Sequence, residues 1–275
     1  MSLHAQDLPS SLVLVGAGKM GGSMLEGWLA NGMAPEGVAV LDPRPSDEMT
    51  RLCHERGIAL NPTTPGAPEV VVLAIKPQLL DDAAAQVNAI LGPQTVLVSV
   101  LAGKTIGDLR ARLPAATAIV RAMPNLPASI GRGATGAAPS GEVTEKQRRA
   151  ADALLRCVGI VEWLESEDLI DAVTALSGSG PAYVFHLVEC LAEAGKAAGL
   201  PADLAERLAR ATVTGAGELL FQSELPPAIL RQNVTSPGGT TAAALEVLMA
   251  DPNGLQALMR EAVAAAKRRA GELSG

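Results

Sequence analysis

The chain has 275 residues, 48% of them hydrophobic, a formal net charge of −7 and only five aromatic side chains (two Trp, one Tyr, two Phe). An acidic chain repels phosphate backbones and so few aromatics offer little for bases to stack on, which excludes nucleic acid as a partner. The length is sufficient for two domains and a sizeable core.

Met1 to Pro9 is polar and lacks periodicity, and no basic segment leads into an apolar one, so no signal peptide is read there. Leu12-Val13-Leu14-Val15 reads as a buried strand and Met20 to Ala30 as the helix after it. Val38 to Leu41 is a second strand, ending at Asp42. Val70 to Ile75 is a third, stopped by Lys76-Pro77, and Thr95 to Val100 a fourth. Ala118-Ile119-Val120 is a fifth, ending at Arg121-Ala122-Met123-Pro124-Asn125. The Gly-rich passage Gly131 to Gly141 reads as loops around a short strand. Thr144 to Cys157 is then helical and Gly159 to Leu164 a last strand. Beyond Glu165 strands give way to Ala, Leu and Glu at helical spacing, in Pro181–Ala198, Ala202–Leu220, Pro226–Asn233, Thr240–Met249 and Gly254–Glu272. The expected fold is therefore α/β: a Rossmann-like N-terminal domain (residues 1–165) followed by an all-helical C-terminal domain (166–275). The long apolar faces of the latter suggest a dimer interface.

Two motifs carry chemistry. Gly16-Ala17-Gly18-Lys19-Met20-Gly21 places G-x-G-x-x-G between a strand and a helix, and Asp42 ends the next strand, the spacing of a dinucleotide-binding unit. Asp42 suits a ribose diol and hence NADH, whereas Arg44 suits a 2′-phosphate and hence NADPH; the two residues point in opposite directions. Lys76-Pro77 and Asn125 end strands at the same sheet edge. There Asn125 can bond a nicotinamide carboxamide or merely cap a turn. The second motif is Ser236-Pro237-Gly238-Gly239-Thr240-Thr241, leading into Ala242 to Val247. It describes a helix whose first N–H groups stay bare, a place for a small anion, with threonine hydroxyls beside it.

Cys53, Cys157 and Cys190 form no CxxC pair and fit a reducing cytoplasm. No metal site is expected. The longest uncharged stretch, Ala172 to Val188, is broken by Ser177-Gly178-Ser179-Gly180-Pro181 and is a poor membrane span. His4, His54 and His186 sit in no recognisable acid–base arrangement.

Gly16–Gly21, Leu73–Pro77, Met123–Asn125, Ala175–Tyr183 and Asn233–Thr241 together resemble the ordered motifs of pyrroline-5-carboxylate reductases. The resemblance runs from about Leu12 to the final helix, and its last two motifs are the most specific. It implies reduction of the cyclic imine 1-pyrroline-5-carboxylate to L-proline, the last step of proline biosynthesis. The hydride donor it implies is NADPH, with NADH as the alternative. It also implies interleaved helical dimers that often assemble further, commonly into decamers. Carried over residue by residue, the family assigns Asn61, Ala74, Lys76 and Asn233 to the nucleotide, beside the Gly16–Gly21 loop and Pro77. It assigns Glu167, Thr240 and Thr241 to the substrate, beside Ser236, Gly238 and Gly239. Lys19 departs from the family's usual uncharged polar residue, and Asp42 from the small polar residue common in NADP-preferring members.

The chemistry needs an anion site for the carboxylate and one polar contact at the ring nitrogen, which Thr241 can give; Thr241 is the expected catalytic residue. Ser177 and Ser179 can bind substrate or only cap. Two rivals stand beside this reading. A β-hydroxyacid dehydrogenase would carry a lysine shortly after Gly178-Ser179-Gly180, and none occurs before Lys196. A non-catalytic NAD(P)-binding regulatory protein would bind nucleotide without turnover.

Overall fold

The computed structural model describes residues 8–63 and 66–274. Eight strands form one sheet: β1 (Leu12–Val15), β2 (Val38–Leu41), β3 (Ala59–Leu60), β4 (Val70–Leu73), β5 (Val96–Ser99), β6 (Ala118–Met123), β7 (Gly133–Pro139) and β8 (Gly159–Trp163). Their order is β3-β2-β1-β4-β5-β6-β7-β8. All neighbours pair in parallel except β6 and β7. The residues linking β6 to β7, 124–132, are too few for a parallel crossover, so the chain turns back on itself.

The helices are α1 (Lys19–Ala30), α2 (Asp47–Arg56), α3 (Leu80–Ile90), α4 (Ile106–Arg112), α5 (Glu145–Arg156), α6 (Ile170–Val173), α7 (Gly180–Ala197), α8 (Ala202–Gln222), α9 (Pro227–Asn233), α10 (Thr240–Leu248) and α11 (Leu255–Ser274). β1, β2, β4 and β5 are buried along their whole length, as strands covered on both faces must be. Leu12 and Leu14 join a core with Met24, Leu25, Trp28 and Leu154, while Val13 and Val15 join a second with Leu80, Val87, Leu109 and Leu113. The period-two alternation of a strand produces that division. Trp28 is fully buried, and its indole N–H donates to the Leu154 carbonyl (2.9 Å), fastening α1 to α5.

Three elements exceed the sequence expectation. β6 runs on through Met123, the Gly-rich passage holds a seven-residue strand, and β3 adds a parallel edge. The chain divides into two compact units. One runs through Gly178 and takes back the segment from Lys267 onward; the other is Ser179–Ala266. The first unit thus continues beyond Glu165, because α6 packs against β6 and β7. In the second unit α7 and α8 pack through small residues: Ala192, Ala205 and Ala209 are buried, and a Cβ at Gly195 would lie 3.1 Å from that of Ala205. Among the described residues no helix is long and apolar enough to cross a membrane.

Candidate active site

The strand order reverses direction between β1 and β4, and ligands of open α/β sheets bind at the carboxyl ends of the strands flanking such a point. Gly16 leaves β1 there with φ +90°, a region that favours glycine, and a Cβ would lie 2.8 Å from the Ile75 backbone nitrogen. A Cβ at Gly21 would collide with the Gly16 carbonyl. Gly18 is different: a side chain there would meet nothing within 4 Å. It is the N-cap of α1 and supplies no capping side chain. The first N–H groups of α1 therefore lack a side-chain cap beside an open glycine, which fits a pyrophosphate.

A cavity of about 790 Å³ opens over this loop. Asp42, Arg44, Ser46 and Glu48 line it, with Gly18, Lys19 and Met20 of the glycine turn and Pro124, Asn125 and Gly178. Of the residues expected at the nucleotide, the structure brings Gly18, Lys19, Met20, Asp42, Arg44 and Asn125 onto one wall set. Gly16 and Gly21 shape the turn from behind it.

Asp42 is oriented from three sides. Its Oδ2 accepts from the Ala17 backbone N–H (2.8 Å) and its Oδ1 from that of Arg44 (2.9 Å). Asn61, in the left-handed region at φ +50°, accepts the Asp42 backbone N–H (2.9 Å) and donates to the Asp42 carbonyl (2.8 Å). Asn61 does not line the cavity; it clamps the residue that does. The Arg44 side chain is exposed and makes no ion pair among the described residues. Ala74 is bonded through its N–H to the Val15 carbonyl and packs behind the loop. Lys76 is exposed and precedes a short 3-10 turn at Pro77–Leu79, outside the cavity wall.

Asn125, read as a carboxamide ligand or a cap, has its amide committed within the fold. It accepts from the Ala134 N–H (2.9 Å) and donates to the Ser177 carbonyl (3.1 Å). Glu167, expected near substrate, accepts from the Ile106 N–H and from Arg121, each at 2.8 Å. Arg121 is 4% exposed and also faces Asp171 at 4.0 Å. Glu167 thus serves a part-buried ion-pair network, centred on the buried Arg121, that joins β6, α4 and α6. Sequence reading overlooked Arg121; a charge inside an otherwise apolar strand is the signal that could have marked it. Ser177 donates to the Val173 carbonyl (3.1 Å), and Ser179 makes no side-chain cap at the start of α7.

In the helical unit Gly238 has φ +68°, and Gly239 is the N-cap of α10 without a side-chain cap. Thr240 and Thr241 are the first two residues of that helix, and its leading N–H groups lack a side-chain partner. Ser236 lies before the turn and Asn233 ends α9, both exposed. His54 and His186 are exposed, and His186 faces Glu189 (2.8 Å) on its own helix. His4 lies outside the described residues.

A family model described as pyrroline-5-carboxylate reductase dimerisation matches residues 167–273, and one described as NADP oxidoreductase, coenzyme F420-dependent, matches 11–103. The pyrroline-5-carboxylate reductase of Pseudomonas aeruginosa is 38% identical over 96% of both chains. The chain belongs to the pyrroline-5-carboxylate reductase family. That of Synechocystis is 39% identical over 95% of this chain and 97% of its own. A solved reductase from Coxiella burnetii superposes with a TM-score of 0.89 at 37% identity, covering 97% of this chain and 99% of that one. The Plasmodium falciparum enzyme, solved with NADP bound, gives 0.77 at 26% identity over 96% and 98%. Family membership also accounts for a feature of the helical unit: among its described residues no side chain larger than alanine is buried. The match to a dimerisation family model over these residues supports a homo-oligomer.

Proposed function

We propose that this chain reduces 1-pyrroline-5-carboxylate to L-proline, the final step of proline biosynthesis, with hydride from NADPH or NADH. The observation that carries the reading is the pairing, in one family member, of an open glycine turn over a cavity with an uncapped helix start at Gly239. Bound NAD(P)H supplies the hydride that turns the C=N carbon into CH–NH. The backbone N–H groups at the start of α10, with Ser236, Gly238, Gly239 and Thr240 around them, hold the substrate carboxylate. The Thr241 hydroxyl orients the ring nitrogen. That nitrogen is protonated from water before the hydride arrives, so no strong enzyme acid is required. Catalysis rests on positioning and electrostatics, in keeping with the exposed His54 and His186.

The division of labour follows the sequence reading: residues 1–165 take the dinucleotide, and 166–275 serve dimerisation and substrate. Asn233 and Lys76 belong to the nucleotide set on the family's pattern. Glu167 supports substrate binding through the fold, held by Arg121. The functional unit is a homodimer that can assemble to a decamer, and the enzyme is cytoplasmic, where thiols such as Cys190 stay reduced. Steady-state assays with purified substrate and each nucleotide test the reading; NAD(P)H oxidation coupled to proline formation is the expected result. Nucleotide binding with no oxidation would favour the regulatory rival.

A further inference from the structure

We infer that Asn125 is a positioning residue for the reaction: its side-chain amide replaces a hydrogen bond that Pro181 cannot make, and so fixes the direction in which the chain leaves the first unit. This rests on the chain being an imine reductase. The first unit runs to Gly178 and the second begins at Ser179. Helical backbone passes through that boundary. α6 leads into a five-residue π-helical turn, Thr174–Gly178, and α7 starts at Gly180, with Ser179 between them in right-handed helical geometry (φ −82°, ψ −21°). Single π turns within helices are frequent at functional sites. In a continuous α-helix the Ser177 carbonyl would accept from the backbone N–H four residues on. That residue is Pro181, which has none. The next N–H, of Ala182, goes to the Ser179 carbonyl (3.0 Å).

The Asn125 Nδ2 group supplies the missing donor, bonding the Ser177 carbonyl at 3.1 Å. Its other end is fixed as well. Oδ1 accepts from the Ala134 N–H (2.9 Å), so the buried amide is held between β7 and the turn. The hydroxyls nearby are already engaged: Thr174 donates to the Ile170 carbonyl (2.8 Å) and Ser177 to that of Val173 (3.1 Å), back-bonding of the kind that bends helices. Pro124, Asn125 and Gly178 all line the cavity, so one hydrogen bond ties the cavity wall to the last turn of the first unit. On the proposed reading the hydride donor is held by the first unit and the imine by groups of the second. Hydride transfer tolerates little displacement of the reacting atoms. A loosened exit turn therefore slows the chemistry while the glycine turn still holds the nucleotide. Asn125 acts through Ser177 and Gly178 rather than on a ligand.

The test is a double-substitution cycle on the full-length protein, read by nucleotide binding, imine reduction and urea unfolding. Asn125→Asp keeps an oxygen for the Ala134 N–H and removes the donor to Ser177. Pro181→Ala restores the backbone donor that the turn lacks. Asn125→Asp is expected to lower kcat roughly tenfold, the scale of one hydrogen bond to a buried carbonyl. The Kd values for NADPH and NADH, read by fluorescence, should stay close to native. Pro181→Ala alone is expected to keep kcat near native. Combined with Asn125→Asp it should recover most of the lost rate, because the new N–H takes the Ser177 carbonyl. The stability lost through Asn125→Asp should shrink in the same background. Nucleotide Kd values that weaken in step with kcat would make Asn125 a ligand and overturn the assignment. So would a double variant no faster than Asn125→Asp, or losses of stability that simply add. Native protein that binds nucleotide without reducing 1-pyrroline-5-carboxylate would refute the imine-reductase reading and the positioning role with it, while the unfolding cycle still decides whether Asn125 stands in for the donor absent from Pro181.

Discussion

In the first unit, polar side chains find partners within the chain: Asp42 on Ala17 and Arg44, Asn61 on Asp42, Asn125 on Ala134 and Ser177, Glu167 on Ile106 and Arg121. In the helical unit Leu219, Val234 and Val247 are each about two-thirds exposed or more (65%, 68% and 72%), and the start of α10 is uncapped. The contrast teaches where preorganisation comes from. The first unit holds its polar side chains in place by contacts within the chain, whereas the second leaves apolar side chains and a helix start uncovered.

Breaking the second half should have the largest effect. Leu219→Glu with Val247→Glu places charges where a partner must cover apolar surface, at several kcal/mol per buried charge. Sedimentation should show monomer in place of the proposed dimer; an oligomer unchanged by the substitutions would mean that these faces are not the interface. Next comes the first half's ion-pair network. Arg121→Met leaves the Glu167 carboxylate without its buried cation and should cost about 3 kcal/mol in urea unfolding. Thr241→Ala should lower kcat/KM by about 1–2 kcal/mol, one hydrogen bond's worth, with nucleotide binding unaltered. A change in nucleotide affinity instead would move Thr241 out of the substrate set.

A smaller effect is expected at α4, where Thr105 and Asp108 form a reciprocal cap. Thr105→Ala should cost about 1 kcal/mol in thermal melts at pH 7. The Thr105 backbone N–H chiefly holds the Asp108 carboxyl below its usual range. Its folded pKa is therefore lower than its unfolded one. The carboxylate's contribution is full above the unfolded value and is lost as pH falls through the folded one, so the part of the difference between variant and native melts that comes from the Thr105 hydroxyl donating to Asp108 should shrink on acidification. Smallest of all is a labelling difference. Burial raises Cys53 and pushes Cys157 up to about 11, so both stay thiols at neutral pH. A thiol reagent should reach neither until denaturant is added.

The comparison also explains how much could be read beforehand. Strands such as Leu12–Val15 and Val70–Leu73 are buried on both faces, so an unbroken apolar run announces them. The glycine turn is legible from its own spacing, since Gly16 takes φ +90° and a Cβ at Gly21 would collide with the Gly16 carbonyl five residues back. Asn125, Asn61 and Arg121 were opaque for the opposite reason. Their partners lie 9 to 52 residues away, at Ala134, Asp42, Glu167 and Ser177, and spacing along the chain does not reveal them. β7 was underestimated because glycine and alanine dominate it; pairing with β6 and β8, rather than propensity, makes it a strand. The end of the first unit at Gly178 follows from the packing of α6, which carries no break in composition.

Measuring nicotinamide absorbance as 1-pyrroline-5-carboxylate is added, with NADH and NADPH in parallel and proline quantified at the end, tests the central claim most directly. The account predicts oxidation of nucleotide matched one to one by L-proline. Nucleotide that binds but is not oxidised, with no proline formed from either cofactor, would contradict it.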